Sequence, residues 1–145
     1  MICVKKKEIG IKKWLCDMFV QKVEFEAFAL LGNAVEIVNT WQNEGHDIYL
    51  CSYVRKGRYD IIKSIIDFYG MKYTDILCRS KGEQYREIVE QLKSDILIED
   101  DCKSIGGHKE SCITNVKKEL KSKIQSVIVP EFKGIDDIRI EKKGV

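Results

Sequence analysis

The run Asp95-Ile96-Leu97-Ile98-Glu99-Asp100-Asp101 sets three consecutive carboxylates at the end of a short apolar stretch. Carboxylates side by side repel, and the usual compensation is a bound hard cation or a raised pKa on one of them. In open α/β sheets ligands bind beyond the carboxyl ends of the strands, so an apolar strand that ends in acids has the polarity of a metal site. Glu99, Asp100 and Asp101 are therefore the candidate metal ligands. One of them could serve as a helix cap, but a cap needs a single acid and this run supplies three.

Alternating helical and strand patterns position this run. Asn33-Ala34-Val35-Glu36 opens a helix in capping-box style, with Ala34, Ile37, Val38 and Trp41 on one face and Gly45 at its end. His46-Asp47-Ile48-Tyr49-Leu50-Cys51-Ser52 reads as a buried strand. A helix is expected over 56–69, with Ile61, Ile62, Ile65, Ile66 and Tyr69 at helical spacing and Gly70 as its stop, followed by a strand over 75–78. Ser80-Lys81-Gly82-Glu83 matches the S-x-x-E box and predicts a helix carrying Tyr85, Ile88, Val89 and Leu92 inward. The acid-ended strand closes that unit.

After Gly106-Gly107 the pattern predicts a helix near 112–122, a strand Ser126-Val127-Ile128-Val129 stopped by Pro130, and an irregular tail from Glu131. Residues 1–4 are read as a central first strand. Residues 9–31, with Ile11, Trp14, Leu15, Met18 and Phe19 amphipathic, are read as a helical insert that forms a small lid. The expected architecture is a single domain over 1–145: a three-layer, Rossmann-like α/β fold with a parallel sheet, helices on both faces and no large cap.

Bulk properties narrow the classes. A chain of 145 residues can bury a core without disulfides. With 25 basic and 23 acidic residues the net charge is +2, so nucleic acid is not an expected partner, and Lys5-Lys6-Lys7, Lys12-Lys13 and Lys117-Lys118 read as solvated faces. The six cysteines contain no C-x-x-C pair and no zinc-ribbon spacing, which suits reduced cytoplasmic thiols. Asp17 interrupts the apolar stretch from Trp14 to Val20, so neither a signal peptide nor a membrane span is expected.

A strand ending in Ser52, a lysine at Lys81 and a strand ending in Glu99-Asp100-Asp101, in that order, resemble the second, third and fourth motifs of the haloacid dehalogenase-like (HAD) phosphohydrolases. The match covers about residues 33–107, and Ser104-Ile105-Gly106-Gly107 with Val129-Pro130-Glu131-Phe132 is similar to a bacterial or archaeal branch of that family. The resemblance implies a Mg²⁺-dependent phosphohydrolase acting on a small phosphate ester, nucleotides among the candidates. Ser52 then donates its hydroxyl to a phosphoryl oxygen, Lys81 neutralises phosphate charge, and Asp100, helped by Glu99 or Asp101, holds Mg²⁺. Each also has a duller reading: Ser52 as a turn or cap, Lys81 as an exposed charge.

The family's first motif, Asp-x-Asp after the first strand, supplies an aspartate nucleophile and a general acid/base. Here Lys5 and Lys7 occupy those positions. An ammonium can neither ligate Mg²⁺ nor replace the nucleophile, so catalysis is expected to be impaired. Asp17 follows apolar residues but has no second aspartate two positions on. Lys5 and Lys7 could instead balance Glu99, Asp100 and Asp101 by ion pairs, leaving a pocket that binds without turnover. The alternative function is a non-catalytic phosphate-ligand-binding or protein-interaction module. Cys3, Cys51, Cys78 and Cys102, at the ends of the presumed strands, offer a further option of a thiolate site.

Overall fold

Alternating apolar positions build the strands, and hydrogen-bonded ladders order them β3-β2-β1-β4-β5 in one sheet: β1 (Ile2–Val4), β2 (Ile48–Tyr53), β3 (Asp75–Arg79), β4 (Ile96–Asp100) and β5 (Gln125–Val129). The structure is a computed structural model and describes residues 2–4, 33–53 and 59–140. Five α-helices are described: α1 (Ala34–Asn43), α2 (Tyr59–Phe68), α3 (Tyr85–Leu92) and the short α4 (Cys112–Asn115) and α5 (Lys118–Lys121).

The sheet consists of two parallel pairs, β2 with β3 and β4 with β5, joined through β1. β1 runs antiparallel to both of its neighbours, which corrects the expectation of an all-parallel sheet. Val4 lies opposite Ile48 and Ile96, the first residues of β2 and β4, so β1 ends at the edge opposite Asp100. An apolar tripeptide carries no directional signal, because its backbone is satisfied by either kind of ladder. The parallel expectation rested on a helix–strand alternation that begins only at residue 33. Lys5, Lys7, Asp17 and the expected lid over 9–31 lie outside the described residues.

Side chains alternate across a strand, so register assigns each residue to a face. Ile48, Leu50, Ile76, Ile96, Ile98 and Val129 pack with Ala34, Val38 and Trp41 of α1 and with Ile62 and Ile66 of α2. Cys51 and Leu97, on the opposite face, pack with Ile88 and Val89 of α3 and with Cys112 and Ile113 of α4. Helices thus cover both faces. Ile135 and Ile138, in the irregular segment after β5, are buried in the first of these clusters.

Helix ends follow local chemistry. After α1, Gly45 at φ 93° lets its own N–H reach Gln42 O and the His46 N–H reach Trp41 O, each at 3.1 Å; Gly70 at φ 72° repeats the arrangement after α2. Two boundaries differ from expectation. Ser80 N does donate to Glu83 Oε2 at 2.9 Å, but that closes a turn, and α3 begins at Tyr85, where Gln84 N donates to Glu87 Oε2. The helix expected over 112–122 is two short ones, broken where Val116 is extended and buried and where Lys117 N donates to Glu90 Oε1.

Candidate metal centre

The three acids that end β4 separate because of strand alternation and the turn that follows. Glu99 faces α4. It is fully buried, and its two oxygens accept the backbone N–H groups of Cys112 (2.6 Å) and Ile113 (3.0 Å). These are donors at a helix start that have no intrahelical partner, so Glu99 anchors α4 to the sheet. This corrects its expected place among the metal ligands: both its oxygens are engaged, on the face away from Asp100.

Asp100 lies on the other face, also fully buried, and Asp101 N extends the ladder by donating to Val129 O at 2.9 Å. The chain then turns through Cys102, a non-glycine residue in the left-handed region at φ 52°. That conformation costs roughly 1–2 kcal/mol for an L-residue. It brings successive backbone N–H groups toward the acids. Cys102 N donates to Asp100 Oδ1 (2.7 Å), Lys103 N to Asp101 Oδ1 (3.2 Å), and Ser104 N to Glu131 Oε1 (3.1 Å), which also accepts from Ser104 Oγ (2.8 Å).

Asp100, Asp101 and Glu131 thereby gather, with one carboxylate oxygen from each lying within 4.8 Å of the others. Asp100 Oδ2 is buried and has no hydrogen-bond partner. A desolvated carboxylate oxygen without a donor is costly, and a cation is the natural remedy. The donors are all oxygens, which fits a hard divalent cation such as Mg²⁺ or Ca²⁺. Asp101 borders an open cleft shared with Lys103, Gly107, His108 and Ile128.

Glu131 is the member that sequence reasoning left without a role. Its signal was positional: β5 is the parallel neighbour of β4 with Val129 opposite Asp100, so an acid just after β5 arrives beside the acids just after β4. Asp100 and Asp101 come together as the acidic run suggested, and Glu131 stands where Glu99 was expected.

Ser52 is buried at the end of β2. Leu50 and Ile98 are both opposite Ile2, so Ser52 and Asp100, two residues further along, share a face and a level on strands that flank β1, about 10 Å apart by ordinary strand spacing. Lys81 is exposed in the turn after β3, three residues beyond Cys78, which pairs with Ser52. All these groups leave the sheet at the same edge. Cys51 and Cys78 do not converge: Cys51 faces the α3 side and Cys78 the α2 side.

Comparison with protein-family models, curated proteins and solved structures gives no match. No helix among the described residues is long and apolar enough to cross a membrane.

Proposed function

We propose that this chain is a HAD-like, three-layer domain that binds a small phosphate ester beside a divalent cation without turning it over. The observation that carries the reading is the joint position of Ser52, Lys81 and Asp100 at the carboxyl edge of parallel strands, with Asp100 inside an oxygen-only acidic cluster. The strand order, with the first strand central and β2 and β4 on either side, supports it further. Asp100 and Asp101, with Glu131, would hold Mg²⁺, whose charge offsets that of the phosphoryl oxygens. Ser52 supplies a hydroxyl donor, and Lys81 a mobile positive charge that comes onto the ester from the rim.

Binding rather than hydrolysis is favoured because the family's nucleophile follows the first strand. In this chain Lys5 and Lys7 stand there, and β1 runs away from the acidic edge. None of the four described cysteines forms a disulfide, which supports a reducing, cytoplasmic setting.

Thermal melting with Mg²⁺ and a panel of nucleoside monophosphates, sugar phosphates and inorganic phosphate tests the reading. At least one ester should raise the melting temperature of the wild type, by less in Lys81→Ala and in Ser52→Ala, with no phosphate released on prolonged incubation. Melting that no ester shifts, or a shift unchanged in both variants, would refute it.

A further inference from the structure

We infer that β5 is a self-pairing edge: two copies of this chain join through antiparallel β5 strands, about a two-fold axis beside Val127, so that their sheets become one continuous sheet. The inference does not rest on the phosphate-ester reading.

The sheet has two edges, and they differ. β3 begins with Asp75 and ends with Arg79, charges of the kind that blunt an edge against further pairing. β5, Gln125-Ser126-Val127-Ile128-Val129, holds no charge, proline or glycine and is rich in β-branched residues. Its bonds to β4 fix which of its backbone groups look outward. Gln125 N donates to Asp95 O at 2.8 Å, and Val129 O accepts from Asp101 N at 2.9 Å, so residues 125, 127 and 129 turn their polar groups toward β4. Alternation then points the N–H and C=O of Ser126 and Ile128 away from the sheet, and both residues are exposed.

These groups fit a second copy in one register. A two-fold axis perpendicular to the sheet sets adjoining β5 strands antiparallel. Centred on Val127, it places Ser126 opposite the partner's Ile128 and Ile128 opposite the partner's Ser126, each pair exchanging two N–H···O bonds. Every outward group of the two strands is then satisfied. Sliding by two residues fails in either direction: one shift needs the Ile124 N–H, which already donates to Lys121 O at 3.2 Å, and the other needs an N–H from Pro130, which has none. The same register brings exposed Lys123, just ahead of β5, level with the partner's Glu131, just beyond it, so charges complement each other at both ends of the ladder. Apolar surface agrees. Ile128, 40% exposed, meets its own copy diagonally across the axis. Ile105 and Phe132 are exposed beside the same end of β5, because their chain neighbours Ser104 and Glu131 are hydrogen-bonded.

The test is the mass of the chain by light scattering between about 1 µM and about 100 µM, in reducing buffer without metal or ester. Wild type should rise from one chain mass to two. Ser126→Pro removes an outward donor where an edge strand tolerates proline, and Ile128→Lys sets like charges across the axis. Each should keep the wild-type circular dichroism spectrum and stay at one chain mass. Disulfide trapping reads the register. Val127 lies opposite its own copy in a non-hydrogen-bonded pair, with Cα atoms about 4.5 Å apart and within reach of a disulfide. Under mild oxidation Val127→Cys should give a crosslinked dimer above the wild-type background, whereas Gln125→Cys, opposite the partner's Val129, should not.

A wild type that keeps one chain mass throughout, a dimer that survives in both edge variants, or Val127→Cys crosslinking no more than Gln125→Cys would each overturn the inference. Should an edge variant lose its fold, the wild-type mass and the two cysteine variants decide alone. No ester is present in any arm, so failure here leaves the ester test standing, and failure of the ester test leaves this one.

Discussion

Glu99 and Asp100 are neighbours in the chain, but strand alternation gives them different work. Glu99 ties down the start of α4, while Asp100, one of whose oxygens has no hydrogen-bond partner, gathers with Asp101 and Glu131. Replacing Glu99 by alanine strands two buried N–H donors and is expected to cost about 3 kcal/mol of unfolding free energy; glutamine, which restores an acceptor, should cost about half that. Urea titration measures both. Neither change should weaken cation binding, and loss of a Mg²⁺-induced melting shift in Glu99→Gln would return Glu99 to the metal site. At this scale the sequence announced a site through its acidic run, since adjacent charges demand compensation. Which acids share it was not legible. That depends on the left-handed turn at Cys102 and on the register that lays Val129 beside Asp100.

Helix–strand units were the most legible level, because Ile62, Ile65 and Ile66, or Ile88 and Val89, declare a buried face by spacing alone. Boundaries were less so. The S-x-x-E pattern at Ser80 makes its hydrogen bond without starting a helix, and the break at Val116 is imposed by tertiary contacts of Val116 and Glu90. A second tertiary device joins α2 to the chain before β3. Asp67 accepts from Lys63 Nζ at 2.6 Å and from the Tyr73 hydroxyl at 2.7 Å. The Lys63 ammonium, and after it the Tyr73 hydroxyl, hold the Asp67 carboxyl below its ordinary range. A depressed folded-state pKa contributes stability above the unfolded value, and that contribution is lost as the pH falls through the folded one. Wild type should therefore exceed Asp67→Asn by a small margin at neutral pH, small because the Lys63–Asp67 pair is solvent-exposed. The margin should close as the pH drops below about 4. Urea midpoints measured across that interval check it; a margin that stays constant would mean the carboxylate charge plays no part.

For the whole molecule, the order of the strands and the direction of the first one have different consequences. Placing residues 1–4 at the centre of the sheet agrees with the observed order, whereas their direction lay beyond the sequence pattern, since three apolar residues pair equally well either way. Direction decides whether the chain can be turned into a phosphatase. If β1 were parallel to β2 and β4, residues 5 and 7 would emerge beside Asp100, and Lys5→Asp with Lys7→Asp would rebuild an Asp-x-Asp pair next to the acidic cluster. With Val4 opposite Ile48 and Ile96, β1 instead ends at the far edge, a full strand length from Asp100. A nucleophile must lie within roughly 3–3.5 Å of the atom that it attacks, and Val4, the last described residue of β1, is level with Ile96, four residues of strand from Asp100. The double variant is accordingly expected to hydrolyse p-nitrophenyl phosphate with Mg²⁺ no faster than wild type. Mg²⁺-dependent turnover in that variant, abolished again by Asp100→Asn, would reverse the direction assigned to β1 and with it the reason given for binding without hydrolysis.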